Sequence, residues 1–279
     1  MLRFSLLLMA AVAAAQNGPD NQPFPAYRII GNVYYVGAAD ITAYLVTTPA
    51  GHILINSGYE NTPPLIRDSI VKLGFNPRDV KILLNSQAHG DHVAGQAEMQ
   101  RLTGAKIYSS QPEVAVLETG GKADPRWGRE QTYPPVKVDR VVRDLEEVTL
   151  GGVTLVAHMT PGHSIGCTTW TTRVTQDGKT YDVVIVGGTT INPGVEFVRK
   201  PTYPGIAEDY ARTFRTLRAL HCDVFLGAHG GYYGMKEKCR KMTDGAAGNP
   251  FIDPAGYRAF IDRADRTFQE ALAKEKAAQ

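Results

Sequence analysis

In the stretch "VKILLNSQAHGDH" an apolar run, Val80 to Leu84, gives way within a few residues to Gln87, His89, Asp91 and His92. A short run of that kind reads as a buried strand. The small residues Ala88 and Gly90 leave the backbone beyond it free to wrap an ion. Imidazole nitrogen and carboxylate oxygen are good donors to a borderline metal, and an amide oxygen is a poorer one. A fold that uses this cluster must bring further donors to the same strand end. His163 in "TPGHSIGC" and His229 in "FLGAHGG" fit, each following an apolar strand and standing beside a glycine. The other three histidines carry weaker signals. His52 opens a strand after a turn and His221 closes a helix, so both are expected in solvent. His158, inside "TLVAHMT", reads as a hydrogen-bonded core residue rather than a ligand.

The chain around these points alternates strand and helix. "RIIGNVYYVG", "ITAYLVTT" and "HILINSG" are runs rich in Ile, Val, Tyr and Thr that break at Gly, Asp or Pro, which is the pattern of strands. "TPPLIRDSIVKLGF" carries Leu65, Ile66, Ile70, Val71 and Leu73 at helical spacing, and "VAGQAEMQRLTG" followed by "AKIYSS" repeats the helix-strand order. The segment 120–138 is rich in Gly, Pro and charge and reads as a long surface loop. Strands resume in "VDRVVRD", "EEVTLGGVTLVAHMT", "CTTWTTRVT" and "KTYDVVIVGG". After them come a helix over "GIAEDYARTFRTLRAL", a buried strand "CDVFLGAH" and a C-terminal helix from about Pro254. Two halves of similar order predict an α/β fold of two sheets packed face to face, with helices on both outer sides.

Composition narrows the partners. Thirty basic residues against 28 acidic ones leave a formal charge of +2, with no long run of either sign to track a phosphate backbone, so nucleic acid is not expected. "MLRFSLLLMAAVAAAQN" has one basic residue and an apolar stretch too short to span a bilayer, followed by small residues at Ala13 and Ala15. This predicts a secretory signal over residues 1–15, cleaved near Ala15, and a single mature domain over 16–279. No later apolar run approaches the roughly 20 residues of a membrane span. Export permits disulfides, and of the three cysteines Cys222 and Cys239 are close in sequence, so a bridge between them with Cys167 free is expected.

"QAHGDH", "PGHSIGCTTW", the stretch from "NPGVEF" through "DVFLGAH", and "NPFIDPAGYRAF" together resemble the third subclass of metallo-β-lactamases over nearly the whole mature chain. The short histidine motif alone would indicate only the wider superfamily, which includes thioesterases, nucleases and lactonases. The resemblance implies an αββα sandwich, in agreement with the organisation above. It implies one zinc site from Gln87, His89 and His163, and a second from Asp91, His92 and His229. The implied activity is hydrolysis of the β-lactam amide of penicillins, cephalosporins or carbapenems by a metal-activated water that Asp91 orients, in a periplasmic monomer. Thr189 falls where the family places a hydroxyl for the substrate carboxylate, with Thr190 or Asn192 as alternatives one register away. Two positions depart from the family. Gln87 stands where histidine is usual, so one zinc ion or two is expected, with the Asp91 site the tighter. Asn56 stands where aspartate is more frequent, which either removes a supporting charge or leaves an equivalent hydrogen bond. A glyoxalase-II-like thioesterase or a lactonase would need a bridging aspartate in "VGGTTIN", which has none. A non-catalytic metal-binding member is the remaining alternative.

Overall fold

A computed structural model describes residues 16–128 and 130–278. The expected signal, residues 1–15, lies outside the described residues. The first sheet holds β1 (Tyr27–Ile30), β2 (Val33–Tyr35), β3 (Tyr44–Thr48), β4 (Gly51–Ile55), β5 (Val80–Leu84), β6 (Lys106–Ser110) and β7 (Arg140–Val142), side by side in that order. Its first four strands are antiparallel, and parallel pairing begins at β4 with β5. The second sheet runs in the order β12 (Val224–Gly227), β11 (Lys179–Val186), β10 (Thr168–Gln176), β9 (Val153–Met159), β8 (Glu147–Leu150). "RIIGNVYYVG" is two strands, because Gly31 takes a left-handed φ of 52° and turns the chain back.

Alternation along the central strands builds two apolar layers. Ile53, Ile55, Ile82 and Leu84 point between the sheets and meet Leu155, Ala157, Trp170 and Ile185. Leu45, Leu54 and Leu83 point outward, where they are covered by α1 (Pro63–Lys72), α3 (Gln96–Thr103) and α4 (Val114–Glu118) through Ile66, Ile70, Met99, Val116 and Leu117. A single helical turn, α2 (Gly90–Val93), precedes α3. On the second sheet lie α5 (Ile206–Ala219) and α7 (Pro254–Ala277), whose Tyr210, Phe214 and Phe268 are fully buried and in mutual ring contact. The result is the expected αββα sandwich. The short helix α6 (Met235–Thr243) lies between β12 and α7 in sequence. None of these helices is long and apolar enough to cross a membrane.

Two expectations are corrected. Cys167, Cys222 and Cys239 are all free thiols. Cys222 lines a cavity with Tyr257 and Ile261 of α7, and the charge of Lys238 acts on it. Cys239 is the next residue along α6, turned about 100° around the helix from Lys238, and the groups it acts on are Tyr27 and Tyr35. The two thiols therefore face different surroundings despite their closeness in sequence. His52 is buried rather than solvated, its ring edge-on to Phe75 at 5.2 Å. His221 is exposed as expected and pairs with Asp182 at 2.9 Å. His158 hydrogen-bonds Thr171 across β9 and β10, also at 2.9 Å.

Candidate metal centre

The candidate ligands come from strand ends at one edge of the sandwich. Gln87, His89, Asp91 and His92 follow β5. His163 lies in the β9–β10 connection and His229 stands two residues past the end of β12. The β5 end is held by its neighbours: Asn56, after β4, accepts hydrogen bonds from Ser86 N (2.9 Å) and Ser86 Oγ (3.1 Å). At Asn56 the amide therefore keeps an equivalent hydrogen bond. Its φ of 66° is a conformation asparagine tolerates better than most residues.

Asp91, His92 and His229 offer ligand atoms that all lie within 4.8 Å of one another. Asp91 Oδ2 is 3.1 Å from His92 Nε2 and 3.5 Å from His229 Nε2. Burial alone would raise the Asp91 pKa, but the charges of His92, His229 and His89 hold the carboxyl far below its ordinary range. His92 is fully buried, and burial pushes its pKa down; Nε2 has only the contact with Asp91, and Nδ1 has no hydrogen-bond partner among the described residues. A buried polar atom left without a partner costs about 1–3 kcal/mol, so the chemistry of this imidazole suits a metal ligand. One carboxylate and two imidazoles, with a coordination position to spare, form a donor set of the catalytic zinc type. The residues present fit the metal.

The other group is less complete. The His89 and His163 rings meet edge-on at 4.9 Å. Burial pushes the His163 pKa down to about 3, so its ring is neutral at physiological pH. Gln87 is wholly buried with both amide atoms unpartnered, which makes its oxygen available as a third donor.

Two ring nitrogens are hydrogen-bonded to supporting groups and a third faces a carboxylate, which leaves the opposite nitrogen of each ring for metal. His229 Nδ1 is 2.9 Å from Asp40 Oδ2, and His163 Nδ1 is 2.7 Å from the Thr190 carbonyl. His89 Nε2 faces Asp124 Oδ2 at 3.5 Å. In both His89 and His229 burial lowers the pKa, but the carboxylates opposite outweigh it and raise the net value. Sequence reasoning did not find Asp40 or Asp124. Asp40 offered a faint signal as an acid among small residues in a strand break, whereas Asp124 lies unmarked in the Gly/Pro-rich loop. That loop is anchored by Tyr133, whose hydroxyl donates to the Ala88 carbonyl at 2.7 Å, and it sets Trp127 edge-on to His89 at 6.5 Å. Of the candidate substrate contacts, Thr189 Oγ1 is buried and unpartnered. Thr190 is occupied with His163, and Asn192 is half-buried with a free amide nitrogen.

Residues 36–229 match the family model "Metallo-beta-lactamase superfamily". Among solved structures, the native FEZ-1 metallo-β-lactamase from Legionella gormanii is 44% identical, with a TM-score of 0.91, covering 93% of this chain and 99% of that one. BJP-1, a subclass B3 metallo-β-lactamase of Bradyrhizobium japonicum, is 38% identical, with a TM-score of 0.86 over 94% and 99%. LRA-12, a class B3 di-zinc metallo-β-lactamase from an Alaskan soil metagenome, is 33% identical, with a TM-score of 0.87 over 92% and 97%. Preassembled metal donors, the αββα sandwich and these likenesses over nearly the full length place the chain in the metallo-β-lactamase superfamily, with subclass B3 enzymes among its structural relatives.

Proposed function

We propose that the protein is a zinc-dependent hydrolase of the β-lactam amide bond, working as a periplasmic monomer after loss of residues 1–15. The observation that carries this reading is the prearranged Asp91–His92–His229 group, in a chain that shares 44% of its residues with a β-lactamase over 93% of its length. Asp91, His92 and His229 would hold zinc, and the ion would supply Lewis acidity to the attacking water and to the negative charge that develops as the ring opens. Asp91, ionised at neutral pH, orients the attacking water through a hydrogen bond and accepts its proton. Thr189 offers its unpartnered hydroxyl to the ring carboxylate of the substrate. The half-buried Trp127 and the buried Tyr133 limit bulk water on the His89 side.

A thioesterase or lactonase with a bridging carboxylate is disfavoured at Gly188, where even a Cβ would run into the His163 ring. No acidic side chain fits at that point.

Zinc stoichiometry follows from Gln87. An amide oxygen is a weaker donor to zinc than imidazole nitrogen, so the Asp91 group should fill first and carry the activity. Gln87→Ala should keep a measurable share of turnover, Gln87→His should raise occupancy towards two, and His92→Ala or His229→Ala should abolish both tight zinc and hydrolysis. The test is hydrolysis of a penicillin, a cephalosporin and a carbapenem with and without chelator, alongside metal analysis after dialysis. No chelator-sensitive turnover would sink the hydrolase reading. Two tightly held ions, with Gln87→Ala losing one ion and all activity, would overturn the one-zinc hypothesis.

A further inference from the structure

Beside the strand end that carries Thr189 lies a groove with room for about 280 Å³. It runs between Thr189–Ile191, the Gly231–Tyr232 turn and one face of α7, from which Phe260 and Arg263 line it. Two of its walls belong to the metal centre: Thr190 holds His163, and Gly231 N donates to the Asp40 carboxylate that holds His229. The groove therefore abuts the centre, sharing the residues that support His163 and His229, although no metal ligand lines it. At its inner end is the Thr189 hydroxyl, 2% exposed and without a partner among the described residues. Its outer wall carries Arg263, whose guanidinium forms no ion pair or hydrogen bond with any described residue. The neighbouring acids of α7, Asp262 and Asp265, are both taken by Arg218. No acid lines the groove. A free cation thus faces a cleft of hydroxyls and apolar surface, which is the chemistry of a site for an anionic group with an apolar stem.

The substrate's own connectivity decides which part enters. In cephalosporins and carbapenems the ring carbon that bears the carboxylate is bonded to the carbon that bears the variable ring substituent, while the group on the lactam carbon lies across the bicycle. With the carboxylate at Thr189, the ring substituent is the part that extends past it. We propose that this groove is the subsite for that substituent, and that Arg263 makes it select substituents carrying negative charge. The inference rests on the β-lactamase reading above and adds a specificity-determining residue to it.

Cefamandole and cefonicid provide the probe, because they share the mandelyl side chain and the tetrazolylthiomethyl arm and differ in one sulfonate at the end of that arm. The wild-type enzyme should favour cefonicid in kcat/KM by about three- to fivefold, the scale of an exposed ion pair. The preference should reside in KM and fade as salt approaches about 1 M. Arg263→Gln should bring the ratio near one and Arg263→Glu should invert it. Arg263 is exposed and makes no side-chain bond, so neither variant threatens folding. A ratio that is the same in wild type and Arg263→Gln, with both substrates opened, overturns the subsite and leaves the hydrolase reading intact. A wild-type enzyme that opens neither substrate overturns the subsite, and the hydrolase reading falls with it only when a penicillin and a carbapenem are left intact as well.

Discussion

Replacing Asp40 by asparagine removes one negative charge from behind the metal centre while keeping the shape of the side chain. The carboxylate comes from the β2–β3 connection and makes two bonds, from Oδ2 to His229 Nδ1 at 2.9 Å and from Oδ1 to Gly231 N at 2.7 Å. Burial would raise its pKa, but the bond and charge of His229 outweigh this and hold it ionised. Asparagine can still accept one of those hydrogen bonds, yet it cannot raise the basicity of the imidazole opposite. Carboxylates in this position change metal affinity by about 10- to 100-fold, which is about 1.4–2.7 kcal/mol. The backbone joint around it does not depend on that charge: Gly230 N bonds Asp40 O, Thr42 N bonds Ala228 O, and Thr42 Oγ1 bonds Gly227 O. The loss should therefore appear in zinc affinity and leave the thermal midpoint of the zinc-free protein nearly unchanged. Competition with a chromophoric chelator at fixed pH measures the affinity, and excess zinc should restore turnover of the variant. A zinc Kd equal to wild type would refute the role given to Asp40.

Further outcomes follow from other parts of the molecule. Denatured, unreduced protein should expose three reactive thiols to Ellman's reagent, since all three cysteines are free, and a count of one would restore the bridge. Phe268→Ala should cost about 3–5 kcal/mol in chemical denaturation, because Phe268 is fully buried against Tyr210 at 5.1 Å and Phe197 at 5.4 Å; a loss under 1 kcal/mol would mean α7 is not docked as described. Glu113 is buried, and burial raises its pKa. A carboxyl whose folded pKa lies above its unfolded one stabilises the fold at low pH and loses that contribution as pH rises through the folded value. Glu113→Gln keeps an acceptor for Ser164 Oγ and Gly166 N, so its midpoint relative to wild type should climb between pH 4.5 and pH 8. A difference independent of pH would contradict the burial of an ionisable group there.

The strand framework was legible because each core strand is an apolar run ended by a polar or glycine break, and strand ends are where side chains from distant segments converge. That logic located Gln87, His89, Asp91, His92, His163 and His229 without any long-range information. It failed where a contact depends on pairing across the fold. Asp40 and His229 are 189 positions apart, and no local pattern marks one as the partner of the other. Helix α6 was missed for a different reason. Its apolar stripe is thin, only Met235, Cys239 and Met242 among five charged residues, and part of its inward face is the buried Lys238, which pairs with Asp253 at 2.8 Å, so the helical signal is weak. His52 was misplaced because a polar residue at a strand start reads as solvated until a neighbour such as Phe75 is known to cover it.

The two family departures, Asn56 and Gln87, look alike in sequence, each an amide at the end of a central strand, but their tasks differ. Asn56 has only to accept hydrogen bonds from Ser86, and an amide oxygen does that as well as a carboxylate oxygen at no cost in buried charge. Gln87 has to hold a cation, where donor strength decides affinity. Its side chain is nevertheless packed without a hydrogen bond to any described residue, which leaves its oxygen available as a weak donor. The Asp91 group needs no help from it, since Asp91 sits within 3.5 Å of both His92 and His229 and Asp40 fixes the outer imidazole. The asymmetry between the two metal positions is therefore already written into the protein before any metal arrives.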